Sequence, residues 1–404
     1  MPRSPRKIAV IGAGILGAAI AWRLAPRGVQ VTLVDKAQPG HGASSHSFAW
    51  INAGAKEPVG YHNLNRRSLE MWERFAQAIG DDGDPGSVGL RWGGKVSWEA
   101  EPVAAEKLVA RVRQLQAWGY PSRLIDAAEL KDLEPALDLG PVAAAEYSPN
   151  EGQVEPQMVV DACLRRLREM GCDILPDTEV AGFEQNGDGR IVSLLTSAGD
   201  VGLDVNLDLD VVVMVAGTET TRLAALAGVN VPQAESPGVV LRTNSLPPLL
   251  HNVPVVYAPA LGDGRREIHI RQCADGSMMI GEGDQESLAE DDSQAHADDL
   301  LARACRYLPG IGGATAMPVP VGWRPMPLDG YPVMGFAEEA PNLYVALTHS
   351  GVTLAPALSQ LAAQEICDGS PADAVLGPYR PQRFAGLTAE DVAAASHPRF
   401  AKLG

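Results

Sequence analysis

Cysteine is scarce and scattered in this chain. Five cysteines occur among 404 residues, and no two of them form a C-x-x-C pattern. An odd, dispersed set argues against a disulfide framework and against a cysteine-based metal site. Histidine and acidic residues also lack the spacing of metal ligands, so we expect no metal. The cysteines are typical of buried thiols in a reducing compartment, which predicts a cytoplasmic protein.

Basic residues are also in short supply. The chain has 33 lysines and arginines against 50 acidic residues, a net charge of −17. Binding to nucleic acid or to an anionic membrane surface requires basic patches, so we expect neither partner. No apolar run reaches the length of a transmembrane helix, and we expect no integral membrane segment. The glycine pattern of the apolar N-terminal stretch argues against a signal peptide.

A glycine motif follows the first apolar strand. Residues 7–11 are apolar and β-branched, and Gly12, Gly14 and Gly17 follow in the spacing G-x-G-x-x-G, before a helical period. A second apolar strand ends at Asp35. In this pattern the glycines permit a tight turn, a close approach of pyrophosphate and close helix packing, while the acid accepts hydrogen bonds from a ribose diol. The segment therefore predicts a dinucleotide site.

Three β-α-β signals are separated by β-rich stretches. They lie at residues 7–35, 155–225 and 342–368. The sequence therefore predicts an α/β protein, in which a Rossmann-like nucleotide-binding domain is interleaved with a mainly antiparallel β-sheet substrate domain. The predicted nucleotide-binding domain comprises residues 1–60, 145–235 and 320–384, the substrate domain 61–144 and 236–319, and an exposed tail 385–404.

Six motifs occur in the order found in one flavoenzyme superfamily. They are the glycine motif with Asp35, G-A-S-S at 42–45, E-G-Q-V-E-P at 151–156, T-E-V at 178–180, V-A-G-T at 215–218, and R-P-M-P-L-D-G at 324–330. Through them, residues 7–384 resemble the FAD-dependent D-amino-acid oxidase superfamily, in the branch of glycine oxidase, D-amino-acid dehydrogenase and monomeric sarcosine oxidase. The resemblance implies FAD. It implies a non-covalent FAD, because no cysteine between Cys305 and Cys367 matches the covalent attachment of sarcosine oxidase.

The FAD contacts follow from the motif and the resemblance together. The helix that begins at Gly351 is expected to aim its N-terminal N–H groups at the flavin pyrimidine ring, where they would stabilise negative charge. A plain strand-turn-helix is the alternative. The predicted cofactor residues are Gly12, Gly14, Ile15, Leu16, Gly17, Asp35, Lys36, Ala43, Ser44, Ser45, Val180, Ala216, Gly217, Gly351, Val352 and Thr353.

Arg324 and His349 are the predicted catalytic residues. In glycine oxidase-like relatives the arginine matching Arg324 binds the substrate carboxylate, and a planar guanidinium suits paired hydrogen bonds to a carboxylate. An arginine that bridges domains is the alternative. His349 precedes the last helix and could contact the flavin or steer an amine proton. A hydrogen-bonded structural histidine is the alternative.

Trp50, Tyr257 and His269 are the further predicted substrate contacts. His269 and Arg271 alternate on one predicted strand, so both should lie on the face that floors the active site. For the histidine, a position on the sheet surface is the simpler alternative. Tyr257 is predicted to cover the substrate, although its apolar surroundings also fit an ordinary strand.

The predicted reaction is oxidation of the C–N bond of an amino acid or N-substituted amino acid. Hydride would pass to flavin N5, leaving an imine that water hydrolyses. Oxygen or another acceptor would take the electrons; the lysine that sarcosine oxidase uses for oxygen has no match around residues 277–281. Alternatives are a 2-hydroxy-acid dehydrogenase of the same superfamily, a flavin-binding subunit of a hetero-oligomeric dehydrogenase, and an NAD(P)-dependent dehydrogenase. A homo-oligomer or a hetero-oligomer fits the chain.

Overall fold

A six-stranded sheet forms the centre of one half of the molecule. The computed structural model describes residues 6–54, 56–197, 209–260, 266–283, 290–387 and 391. From edge to edge the strands are β22 (Val333–Phe336), β23 (Leu343–Leu347), β12 (Val211–Met214), β1 (Lys7–Ile11), β2 (Gln30–Val34) and β9 (Asp173–Leu175). All neighbours pair in parallel except β22, which is antiparallel to β23.

The order in which the chain adds strands to this sheet reverses at β1. The chain adds β2 and β9 on one side of β1, and β12 and β23 on the other. Strands β12 and β23 are apolar along their whole length, and β1 is apolar after Lys7, which is typical of a parallel sheet covered on both faces. In such sheets ligands bind beyond the carboxyl ends of the strands, where the strand order reverses.

A second sheet of eight strands is mainly antiparallel. Its strands are, in order, β19 (Ala316–Pro318), β15 (Val240–Thr243), β18 (Met278–Glu282), β17 (Ile268–Gln272), β16 (Val255–Ala258), β5 (Lys95–Glu99), β7 (Ala144–Ser148) and β6 (Arg123–Ile125). Only the β16–β5 pair is parallel among these described strands. This sheet has its own apolar core, to which Trp98, Leu241 and Ile270 belong.

Four small sheets complete the β-structure of the described residues. They are the pair β10 (Glu179–Gln185) and β11 (Ile191–Ser197), the pair β13 (Gln233–Ala234) and β21 (Met326–Pro327), the pair β14 (Pro237–Gly238) and β20 (Gly322–Trp323), and the trio β3 (Trp50–Ile51), β8 (Gly152–Gln153) and β4 (Arg91–Trp92).

The longer helices cover the sheets with their apolar faces. The α-helices in the described residues are α1 (Ile15–Leu24), α2 (Val59–Ile79), α3 (Pro102–Ala117), α4 (Ala127–Leu133), α5 (Pro156–Glu169), α6 (Thr220–Leu226), α7 (Gln294–Tyr307), α8 (Gly351–Ala363) and α9 (Asp373–Leu376). Helices α1, α2, α5 and α8 pack together over one face of the six-stranded sheet. In the described residues no helix combines the length and the apolar character needed to cross a bilayer.

The two sheets confirm the predicted fold class. The six-stranded sheet takes its strands from three separate parts of the chain, as an interleaved domain requires. The exact domain boundaries remain a prediction, and helix α2 bears on one of them. Because α2 buries Trp72 and Phe75 in the core of the six-stranded sheet, we propose a first boundary near residue 80 instead of residue 60. Most of the predicted tail lies outside the described residues.

Candidate active site

A long cavity begins at the carboxyl ends of the parallel strands and runs to the eight-stranded sheet. It has a volume of about 400 Å³, within the usual range of small-molecule sites. Gly12, Asp35, Val215 and Thr348, which directly follow four neighbouring strands, line one end. This is the position at which a doubly wound sheet binds its ligand.

Two glycines at this end occupy positions where no side chain fits. Gly12 has φ of +108°, and a Cβ there would collide with the carbonyl oxygen of Val215. A Cβ on Gly17 would collide with the carbonyl oxygen of Gly12. Only glycine therefore allows this turn and the close packing of α1 on β1. The open N-terminus of α1 is suited to a phosphate group.

Two polar side chains complete this cradle. The Ser44 hydroxyl accepts a hydrogen bond from the backbone N–H of Ile15 over 3.0 Å, which fixes the 42–45 loop against the start of α1. The Asp35 carboxylate accepts from the N–H of Ala13 over 2.6 Å and from Ala37 over 2.9 Å. These bonds hold the carboxylate at the cavity wall, where it can also accept from a diol.

Nearly all of the predicted cofactor residues line the cavity. Ser45 is the exception, and its hydroxyl lies 3.2 Å and 2.9 Å from the carbonyl oxygens of His41 and Gly42 within its own loop. The predicted cofactor residues that line the cavity are Gly12, Gly14, Ile15, Leu16, Gly17, Asp35, Lys36, Ala43, Ser44, Val180, Ala216, Gly217, Gly351, Val352 and Thr353.

Aromatic rings form the wall at the other end. Tyr257 lies between Trp50 and His269, with ring centroids 5.0 Å and 5.3 Å away. Phe48 contacts the His269 ring edge-on at 4.5 Å. A Cβ on Gly281 would collide with His269 Nε2, so the neighbouring strand makes room for this ring. The structure thus brings together Trp50, Tyr257 and His269 in one wall.

His269 is buried, not exposed on the sheet surface. Its side chain is 9% exposed, and within the described chain its Nδ1 has no hydrogen-bond partner. Burial, with a smaller contribution from Arg324, lowers the pKa of His269 to about 3. The ring is therefore neutral at physiological pH. Arg271, in contrast, forms a structural ion pair, since its guanidinium donates to the Glu155 carboxylate over 2.7 Å and 3.3 Å.

Arg324 lies beside this aromatic wall and also lines the cavity. Its guanidinium donates to the carbonyl oxygen of Pro237 over 2.5 Å and lies 3.5 Å from the Ser236 hydroxyl. Its charge acts on His269 and on His349, in both cases lowering the pKa after the larger effect of burial. Arg324 therefore lies near both His269 and His349, the two histidines named as candidates from the sequence.

A buried carboxyl group supports the Trp50 ring from behind. Glu151 accepts a hydrogen bond from Trp50 Nε1 over 2.8 Å and from the Tyr120 hydroxyl over 2.7 Å. Burial raises the pKa of Glu151 to about 7, although these donors and the charge of Lys95 act in the opposite direction. The orientation of Trp50 thus depends on a residue from the E-G-Q-V-E-P motif.

Lys56 lines the cavity although no sequence pattern marks it. Its Nζ donates to the Ser350 hydroxyl over 3.0 Å, directly before α8 begins. Tyr61 donates to the same hydroxyl over 3.1 Å, and His349 Nε2 lies 3.2 Å from it. The buried Lys56 therefore lies beside the N-terminus of the helix that was predicted to begin at Gly351.

The cavity fits FAD on its own geometry. The glycine cradle at α1 suits the pyrophosphate, and the N-terminus of α8 opens into the cavity farther along. No cysteine lines the described part of the cavity, so nothing there suggests a covalent attachment. Among the described residues, no group of three or more His, Cys, Asp or Glu side chains is arranged to hold a metal ion.

This fold and cleft define a two-domain flavin-dependent oxidoreductase. Residues 7–365 match the family model described as FAD dependent oxidoreductase. The chain belongs to this family, and FAD is its cofactor. The sequence-based identification of the superfamily is therefore confirmed.

Similar proteins match almost the whole chain, and the solved structures among them share its fold. One subunit of the opine oxidase of Agrobacterium tumefaciens (strain Ach5) is 26% identical over 381 residues, which cover 93% of this chain and 96% of that protein. The crystal structure of glycine oxidase from Geobacillus kaustophilus aligns with a TM-score of 0.78 at 24% identity, covering 94% of this chain and all of that one. L-Proline dehydrogenase from P. horikoshii aligns with a TM-score of 0.78 at 22% identity, covering 94% and 98%.

Proposed function

We propose that this protein oxidises the C–N bond of an amino acid or an N-substituted amino acid. Arg324 at the aromatic wall is the observation that carries the proposal. A guanidinium there can hold a substrate carboxylate, while Trp50, Tyr257 and His269 enclose the carbon and nitrogen next to it. Bound FAD supplies the hydride acceptor, its N5 atom.

The protein residues orient the substrate and exclude water. The carboxylate on Arg324 fixes one end of the molecule, and the rings limit its rotation, which favours a reactive geometry. Neutral His269 stacks on Tyr257 and lines the cavity, so its ring offers the substrate an uncharged surface. The product imine would leave the site or react with water to give a keto acid and ammonia or an amine.

The names of similar proteins favour such substrates. Opine oxidase, glycine oxidase and L-proline dehydrogenase are named for amino acids or their N-substituted derivatives. The opine oxidase relative is one component of a larger enzyme, which supports the proposal that this chain works with a partner chain. In that case the purified chain would accept electrons from substrate but pass them on to oxygen slowly.

Flavin bleaching under anaerobic conditions tests the reaction. Pooled D-, L- and N-methyl amino acids should bleach the flavin spectrum, and splitting the pool identifies the substrate. Pooled 2-hydroxy acids form the second arm. Bleaching by hydroxy acids alone would replace C–N oxidation by C–O oxidation.

Substitution of Arg324 by leucine tests the carboxylate site. Losing one partner of a buried charge pair costs about 2 kcal/mol or more, so substrate affinity should fall at least ~30-fold while FAD stays bound. Arg222→Leu is the matched control, because Arg222 lines the cavity at the Glu219 end. With FAD saturating, that variant should keep the wild-type substrate affinity. Unchanged affinity in Arg324→Leu would remove Arg324 from the site.

A further inference from the structure

Lys56 is buried in an environment that does little to balance its charge. Its side chain is 4% exposed and lines the cavity. Within the described chain, the hydrogen bond found for its ammonium group is the one to Ser350. Glu151 is its acidic neighbour, and burial raises the pKa of that carboxyl to about 7. Burying an ammonium group this way is costly unless a further anion binds beside it.

The hydrogen bonds around Ser350 hold the lysine at one place. Lys56 Nζ and the Tyr61 hydroxyl both donate to Ser350 Oγ, over 3.0 Å and 3.1 Å. The serine hydroxyl can then donate to His349 Nε2 at 3.2 Å, because burial keeps that imidazole neutral. The ammonium group is thus fixed next to the first residue of α8.

Lys56 lies at the start of α8, beside the start of α1. A Cβ on Gly351 would lie 3.8 Å from Ile15 Cγ2, so the starts of α8 and α1 are neighbours. Thr353 accepts from the N–H of Asn52 over 3.3 Å, which attaches the loop before Lys56 to the same helix end. Arg324, the proposed carboxylate-binding residue, follows β20, and its charge acts on His349 from another part of the chain.

We infer that Lys56 stabilises the negative charge that the flavin pyrimidine ring acquires when FAD is reduced. The inference rests on the proposed function, in which FAD accepts a hydride. The partial positive charge at the N-terminus of α8 acts on the same place. Lys56 adds a full charge from a different part of the chain, held by Ser350. A group that stabilises the reduced cofactor raises its potential and thereby favours oxidation of the substrate.

Sulfite titration of the purified flavoprotein tests this charge. Sulfite adds to flavin N5 and places negative charge on the pyrimidine ring, as reduction does. In Lys56→Met the Kd for sulfite should rise about tenfold, and a tenfold change in a two-electron couple corresponds to a midpoint potential lower by about 30 mV. Lys56→Arg keeps the charge and should restore most of the affinity.

Lys131→Met is the matched control. Lys131 also donates a hydrogen bond to an oxygen atom, the carbonyl oxygen of Leu137, but it does not line the cavity. Its removal should leave sulfite affinity and potential unchanged. Equal effects of both substitutions would overturn the inference, since the loss of any lysine would then suffice. Unchanged sulfite affinity in Lys56→Met would also overturn it.

The stability of the FAD-free protein separates this role from a structural one. If Lys56 only holds Ser350 in place, Lys56→Met should lower the urea midpoint of the apoprotein or prevent folding, and either result overturns the inference. If Lys56 serves the cofactor, removing an uncompensated buried charge should leave the midpoint unchanged or raise it. Failure of the proposed function looks different: wild-type protein would then bind sulfite normally, yet no amino acid would bleach it.

Discussion

Two buried glutamates should respond in opposite ways to the same substitution. Glu151 accepts from the neutral donors Trp50 and Tyr120, and burial raises its pKa to about 7. Burial acts on Glu146 in the same direction, but Lys95 and Arg111 outweigh it and hold the pKa of that carboxyl well below its usual value. Replacement by glutamine keeps the shape of either side chain and removes its charge.

The expected size follows from proton linkage. Unfolding moves the pKa of Glu151 from about 7 back to 4.5, a difference of up to about 3 kcal/mol at 1.36 kcal/mol per unit. The folded state binds this proton more tightly than the unfolded state. The contribution is therefore fully present below pH 4.5 and is lost as the pH rises through 7. Glutamine cannot lose a proton, so Glu151→Gln should gain stability relative to wild type as the pH rises.

Urea unfolding at several pH values is the assay. The unfolding free energy of Glu151→Gln minus that of wild type should increase by up to about 3 kcal/mol between about pH 5 and pH 8.5. Glu146→Gln is the control, since it leaves Lys95 buried without its carboxylate and should cost about 3–5 kcal/mol at neutral pH. A difference for Glu151→Gln that stays constant over this range would refute the reasoning.

Two glycines provide further tests at opposite ends of the cavity. Gly281→Ala pushes a methyl group against His269, so substrate KM should rise about tenfold or more with flavin content unchanged. An unchanged KM would show that His269 is not a substrate contact. Gly17→Ala places a methyl group against the Gly12 carbonyl oxygen. The ratio of flavin to protein absorbance should then fall severely, and full flavin content would contradict the proposed pyrophosphate position.

The cofactor end of the cavity could largely be predicted because the residues that form it lie close together in the sequence. A turn that only glycine allows, an apolar strand before it and a helical period after it all occur within residues 7–24. The same holds for Asp35 at the end of the next strand. The serine pair shows the limit of a motif. Ser44 binds the start of α1, whereas Ser45 bonds its own loop, and the motif alone does not separate the two.

The substrate end depends on contacts between distant segments. The alternating pattern puts His269 and Arg271 on one face, and both do contact Phe48. The alternating pattern does not indicate that His269 lines a cavity while Arg271 pairs with Glu155. Lys56 could not be predicted for a similar reason. Its partner Ser350 lies 294 positions away, and a lysine in a polar-looking loop is ordinarily exposed.

The interleaved order of the central sheet also sets when the cofactor site can form. Strand β1 pairs with β12, and β12 pairs with β23 near the other end of the described chain. These pairings have a high contact order, which slows folding because long loops must close first. During synthesis the glycine cradle emerges early, but β23 and the start of α8 emerge only after residue 343. In a nascent chain β1 therefore stays without its complete sheet until then, and we expect FAD to bind only after β23 and the start of α8 have been synthesised.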